Sequence, residues 1–266
     1  MSQPQVVPDE SAADGEADPR LRRLRRYYQL AQRQVWRVED LPWDSQPVLP
    51  EKHASERWRG VWRSILTQLL QADQMAVTAS AELLSLAEHP TAALYYTTMV
   101  QDEARHVEAL LKVAASVGEL GQRNPYLDEL AAMVWEFETL EERVVGIQGF
   151  FEALVIPFFH DISRMAHDTV LGDLCQRLAV DDGIHHGSGV AYGDFLMARA
   201  SPSLRRQLGH SMERVYPVYQ AFITWRPPER AWLNRLMADR DARLVEEQDQ
   251  FVRRLARRWD FEIRVS

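Results

Sequence analysis

Apolar residues along this chain recur at spacings of three, four and seven over long stretches, and nowhere do they alternate for long enough to predict a strand. The pattern therefore predicts an all-α chain. Its stop signals, His89-Pro90, Gly118 with Gly121, and Ser201-Pro202, divide it into helices over about Arg20 to Trp36, Ala54 to Glu88, Thr91 to Val117, Tyr126 to His167, Leu171 to Arg199, Ser203 to Trp225 and Pro228 to Trp259. Between the first two, Pro42, Pro47 and Pro50 impose an irregular crossing that Trp36 and Trp43 can pin down. The central helices are long enough for a bundle. The expected architecture is a four-helix bundle with one leading N-terminal helix and two extra C-terminal helices, a single domain over residues 20–266 with its core at 54–200. Residues 1–19, with Pro4, Pro8, Gly15, Pro19 and a cluster of acids, read as a disordered acidic tail.

Several apolar stripes carry a charge that does not belong there. Asp73 stands among Leu66, Leu69, Leu70, Ala76 and Val77; Glu103 among Met99, Val100, Val107 and Leu110. Glu152 stands among Val145, Val155, Ile156 and Phe159; Asp182 beside Leu178 and Ala179. A carboxylate buried on such a face costs several kcal/mol unless it is protonated, ion-paired or metal-bound. Two of these acids belong to a repeated motif, Asp102-Glu103-Ala104-Arg105-His106 and Asp181-Asp182-Gly183-Ile184-His185, and each has another acid thirty residues upstream, Asp73 and Glu152. A carboxylate and a histidine three apart project from one helix face. Asp73, Glu103, His106, Glu152, Asp182 and His185 thus form the donor set of a carboxylate-bridged dimetal site inside a bundle, with two divalent cations offsetting four negative charges. Oxygen donors with two imidazoles suit Fe(II) or Mn(II) better than zinc.

The residues around the donors extend the pattern. Asp102 and Asp181 lie about 100° round the helix from the motif carboxylates, where each can reach the histidine of the other motif and hold its second ring nitrogen. Gln148, one turn before Glu152, either lines the site or bonds to backbone. Gly183, Gly187, Ser188 and Gly189 either leave room for a substrate or allow close helix packing. Pro157 is expected to bend the helix that carries Glu152. His160, His167 and His186 are read as non-ligands.

Composition narrows the function classes. Of 266 residues 46% are hydrophobic, enough for a full core, and Lys+Arg 31 against Asp+Glu 39 gives a net charge of −8, which disfavours nucleic acid as a partner. The seven arginines from Arg20 to Arg37 read as a solvated helix face. A single cysteine, Cys175, excludes an internal disulfide framework and any cysteine-built iron–sulfur module, so electrons must come from an external donor. Residues 1–18 read as polar and acidic rather than as a signal sequence, no long uncharged apolar run occurs, and a soluble cytoplasmic protein without a membrane partner is expected.

These residues resemble the ferritin-like di-iron carboxylate superfamily, in its bacterial non-haem oxygenase/oxidase branch, with ligand helices similar to the small subunit of ribonucleotide reductase. The likeness is carried by Ala72-Asp73-Gln74-Met75-Ala76, by Gln101 to Val107, by Val145-Gly146-Ile147 through Glu152-Ala153-Leu154, by Asp181 to Gly189, and by Gln34 to Trp43. The resemblance implies metal ligation by the six residues named above, with Glu103 and Glu152 also serving catalysis and Asp102, Asp181, Arg105 and Gln148 supporting them. It implies two iron ions, or iron with manganese, O2 as co-substrate, a ferredoxin or reductase as electron donor, a small organic substrate and a homodimer. The chain departs from the pattern at Asp73 and Asp182, where glutamate is usual. At Ile184, where arginine is usual, the departure is expected to leave Asp181 without the neighbour that Arg105 gives Asp102.

The leading functional expectation is an O2-activating oxygenase or oxidase acting by hydroxylation, N-oxygenation or desaturation, with secondary metabolism as its setting. The alternative is a ferritin-like ferroxidase without an organic substrate. A radical-generating reductase subunit is disfavoured, because Leu110 stands where that family places its tyrosine.

Overall fold

Six of the helices in the described residues start where a side chain takes up a free backbone N–H, at Asp18, His89, Asn124, Thr139, Thr169 and Ser201. The structure, a computed structural model, describes residues 17–264, without the side chains of residues 229 and 233–238. Helix α1 (Pro19–Arg33) begins at Asp18, whose Oδ1 accepts from the Arg20 N–H at 2.8 Å, with Pro19 in the first turn where its missing N–H costs nothing. Of the tail expected over residues 1–19, residues 1–16 lie outside the described residues. Asp18 and Pro19 belong instead to α1 as its cap and first residue. Helix α2 spans Glu56–Leu86 and α3 spans Pro90–Ala114, the latter capped by His89.

The single helix expected from Tyr126 to His167 is two helices. Helix α4 (Pro125–Trp135) ends before Phe137, and α5 (Leu140–Met165) starts afresh at Thr139. Thr139 and Glu142 form a reciprocal capping box, a signature the sequence displays but which the continuous apolar pattern masks. Phe137 turns inward at the break, and Gly146 makes room for it: a Cβ there would stand 2.6 Å from the Phe137 ring.

Helix α5 is irregular in an unexpected place. Over Val144–Phe151, directly ahead of Glu152, it widens to π-helical geometry, and it then runs on through Pro157 to Met165. It is long and apolar enough by composition to cross a membrane, but 67% of an 18-residue apolar window within it is buried inside the protein, as a bundle's core helix must be. Helices α6 (Val170–Met197), α7 (Pro202–Thr224) and α8 (Asn234–Trp259) complete the described chain.

Helices α2 and α3 pack as one pair and α5 and α6 as the other, with α1 laid over α3 and α6. The proline-rich crossing is fastened to the start of α6, where the Val170 and Leu171 N–H groups donate to the Pro47 and Val48 carbonyls at 3.0 and 3.2 Å. At the far end, Trp259 of α8 fills a notch between α5 and α6 that exists because Gly149 and Gly193 lack side chains.

Candidate metal centre

The four bundle helices bring six charged or ionisable side chains to one buried point. Asp73 comes from α2, Glu103 and His106 from α3, Glu152 from α5, and Asp182 and His185 from α6; none is more than 5% exposed. They fall into two overlapping groups, Asp73 with Glu103 and His106, and Glu103 with Glu152, Asp182 and His185, in each of which the donor atoms lie within 4.8 Å of one another. Glu103 belongs to both. Its Oε2 lies 3.3 Å from His106 Nδ1 and its Oε1 3.0 Å from His185 Nδ1, so the carboxylate spans the two groups. Asp73 Oδ1 closes the first at 3.3 Å from His106 Nδ1, and Asp182 Oδ1 and Glu152 Oε2 close the second at 3.6 and 3.7 Å from His185 Nδ1.

Proximity here is not hydrogen bonding. His106 Nδ1, His185 Nδ1, Glu103 Oε1 and Glu152 Oε1 are all buried and none has an aligned hydrogen-bond partner. Buried polar atoms are almost always satisfied. Four unsatisfied ones converging with imidazole nitrogens and carboxylate oxygens are what a pair of cations would satisfy, and this donor set fits divalent iron or manganese.

The other face of each histidine is held across the bundle. His106 Nε2 lies 3.0 Å from Asp181 Oδ2 and His185 Nε2 lies 3.5 Å from Asp102 Oδ2, each histidine meeting the aspartate of the opposite motif. With Nε2 acting as donor, Nδ1 is left as the lone-pair nitrogen facing the centre. Asp181 has no cationic neighbour on its own helix, where Ile184 stands, and is partnered from elsewhere in the fold. Arg105 Nη2 donates to Asp102 Oδ1 at 2.5 Å and to Asp181 Oδ2 at 3.1 Å, so one guanidinium serves both motifs. Trp36 Nε1 also donates to Asp181 Oδ2, at 2.8 Å, while the Trp36 ring stacks on Arg105. This bond was not foreseen; the only signal for it was the position of Trp36 in the crossing.

Gln148 does not line the centre. From the π segment its Nε2 donates to the His185 carbonyl at 3.1 Å and to Ser188 Oγ at 3.0 Å, and its Oε1 accepts from Tyr96 at 2.8 Å, so it stitches α3, α5 and α6 together. Gly189 and Gly187 serve packing: a Cβ on the first would stand 2.2 Å from Gln148 Cβ, and on the second 2.5 Å from the Tyr27 hydroxyl. His186 bonds to the Gln148 carbonyl at 3.0 Å and faces away from the donors, and His160 is exposed.

Without cations the cluster retains protons. Burial, reinforced by the neighbouring carboxylates, pushes Asp182 well above its ordinary range and Glu152 up to about 7, and burial also raises Asp73. Burial acts against Glu103 and Asp181 too, but the adjacent histidines outweigh it and hold each at about 2. Burial alone would lower both histidines; the surrounding carboxylates, and for His185 first of all Tyr95, raise them well above their usual value.

No family model and no curated protein matches the chain. Solved structures do. An R2-like ligand-binding oxidase variant with an aerobically reconstituted Mn/Fe cofactor superposes with a TM-score of 0.66 at 15% identity, over 88% of this chain and 92% of its own. A second Mn/Fe variant gives 0.60 at 16% identity over 99% and 92%, and a variant with an aerobically reconstituted Fe/Fe cofactor gives 0.58 at 15% over 92% and 92%. The likeness runs over nearly the whole of both chains, and this protein has the ferritin-like fold of the R2-like oxidases, a four-helix bundle with one helix ahead of it, a short one between its two pairs and two beyond.

Proposed function

We propose that this chain is a non-haem dimetal oxidoreductase that uses O2 to oxidise a small organic molecule. The observation that carries the reading is the sharing of Glu103 by two buried donor groups, one of three residues and one of four. Asp73 and His106 would hold one ion, Glu152, Asp182 and His185 the other, and Glu103 would bridge them. The Mn/Fe and Fe/Fe cofactors of the R2-like oxidases set the metal class. Bound there, two redox-active ions would supply the O2 activation that no side chain can perform.

The protein's own residues do the rest. Arg105, Asp102 and Asp181 fix the orientation of both histidines, and Trp36 holds Asp181. Glu152 Oε1 is buried with no hydrogen-bond partner, which leaves that oxygen free to face an ion. Leu69, Phe151, Phe159 and Phe222 keep water from the carboxylate side. The lone cysteine, Cys175, is buried, so reducing equivalents are assigned to an external ferredoxin or reductase.

Metal analysis after anaerobic loading with Fe(II) should find about two ions per chain, and exposure to O2 should produce a transient visible absorption. Glu103→Ala should abolish both while leaving helicity intact. Fewer than about one ion per chain, whichever of Fe(II) and Mn(II) is offered, would overturn the reading.

A further inference from the structure

Two helices from opposite ends of the chain meet over α6, and both are rich in arginine. Helix α1 carries six arginines and no acid, and residues 250–259 at the end of α8 carry four and no acid, so the rest of the chain is more acidic than its net charge of −8 suggests. Tyr27 lies against Gly187 and Phe251 meets His186, while Arg23 and Trp259 reach Asp194, which fixes α1 and α8 on the two flanks of α6. Among the described residues Asp194 is the one acid that pairs with both helices: it lies 3.7 Å from Arg23 Nη1 and accepts from Arg258 Nε at 2.7 Å. One turn back on each helix stand Arg26 and Arg254, both exposed, and neither they nor Arg257 is paired with an acid among the described residues.

The arginine ridge lies at the outer end of a packed path to the metal centre. Arg199 stacks over Phe195 at 3.9 Å, Phe195 stacks on Tyr192 at 6.0 Å between ring centroids, and Tyr192 meets Tyr96 edge-on at 6.1 Å. Tyr96 donates to Gln148, which donates to the His185 carbonyl, so rings and hydrogen bonds run unbroken from the ridge to a metal-donor residue. Along α6 itself Asp194 stands nine residues from His185, about 14 Å along the helix axis.

We propose that this ridge is the docking surface for an acidic electron-donor protein, an inference that rests on the dimetal reading, whose centre is reduced from outside. One electron leaves the donor and reduces one metal ion of the centre from the +3 to the +2 state. It tunnels along the packed path, and no side chain there is itself oxidised or reduced. On a chain of net charge −8 an acidic protein is repelled by most of the surface and attracted here, so charge selects the face. Guanidinium groups bind discrete carboxylates in a bidentate fork. A nucleic acid or an anionic lipid surface presents its charge continuously and would meet Asp194, Asp260 and Glu262, which interrupt the ridge.

The test is isothermal titration calorimetry of the Mn(II)-loaded protein with an acidic plant-type iron–sulfur ferredoxin, a DNA duplex of about 20 base pairs and phosphatidylglycerol vesicles, probes that separate the three kinds of acidic partner. Ferredoxin should bind one per chain, and raising the salt from about 20 to about 200 mM should weaken it about tenfold. Arg26→Glu combined with Arg254→Glu should weaken it about tenfold at low salt with manganese content unchanged, and the milder pair Arg26→Gln and Arg254→Gln should act in the same sense. Arg123→Glu, on the loop before α4, should change nothing. In iron(III)-loaded protein kept free of O2, the glutamate pair should also slow the oxidation of reduced ferredoxin about tenfold at subsaturating concentration. Undiminished ferredoxin binding in both double variants overturns the proposal, as does an equal loss in Arg123→Glu, tighter binding of DNA or vesicles than of ferredoxin, or electron transfer that stays fast when docking is lost. Manganese stoichiometry reports on the dimetal reading separately: ferredoxin docking by a protein that takes up no manganese overturns that reading and leaves the docking surface standing, and manganese uptake without docking does the reverse.

Discussion

Removing the Asp181 carboxylate is the sharpest probe of how the centre is supported. Asp181 accepts from Trp36 Nε1 at 2.8 Å, His106 Nε2 at 3.0 Å and Arg105 Nη2 at 3.1 Å, and it is 3% exposed. Asp181→Ala strips three buried donors of their acceptor and leaves Arg105 with Asp102 alone. An orphaned buried donor costs about 1–3 kcal/mol, and breaking a buried ion pair about 3–5 kcal/mol. Because the three share one acceptor, the upper figure is the estimate for the whole substitution: about 3–5 kcal/mol, which for a chain of this size lowers Tm by roughly 6–20 °C.

The second consequence is local. His106 loses the group that fixes its donor nitrogen, so the ion held by Asp73, Glu103 and His106 should bind about 10–100-fold more weakly, while the ion held by His185 is spared. Chemical denaturation of the metal-free protein measures the first effect. A two-step Mn(II) titration by equilibrium dialysis measures the second, with Asp102→Ala expected to weaken the other step. Unchanged stability, or equal weakening of both steps, would refute the reasoning.

Three further outcomes follow from the same geometry. Glu152 sits at about 7 against an ordinary value of 4.5, and Asp73, Asp182, His106 and His185 are likewise raised. Protons bound in the fold stabilise it below the ordinary values and that stability is lost as pH rises, so the metal-free Tm should fall between about pH 5 and 8 while Mn(II) affinity rises over the same window; a metal-free Tm that climbs there refutes it. Gly189→Ala drives a Cβ to 2.2 Å from Gln148 Cβ, and should cost at least about 1–3 kcal/mol in urea denaturation, since neither helix can move aside without disturbing Glu152 or His185. Tyr96→Phe removes the donor to Gln148 Oε1 and should cost about 1–3 kcal/mol, with manganese stoichiometry retained.

What the sequence by itself determined is the periodic part of this protein. A helix repeats every 3.6 residues, so the spacing of Glu103 to His106 and of Asp182 to His185 specifies shared faces before any tertiary contact exists, and charged residues on apolar stripes announce a buried centre. The crossed pairing of His106 with Asp181 and of His185 with Asp102 follows from that register once the helices face each other. The tertiary structure decided what periodicity cannot carry. Glu103 spans both donor groups because the α2–α3 and α5–α6 pairs close at one particular rotation, and Arg105 and Trp36 converge on Asp181 from residues far apart in sequence. The break before Thr139 and the widened turns ahead of Glu152 lie where apolar residues keep a helical spacing, and that spacing is the same for one helix or two. Phe222, which closes the apolar side of the centre, comes from α7, outside the four bundle helices. Which distant ring fills a given gap is settled by packing volume, and no local spacing encodes that.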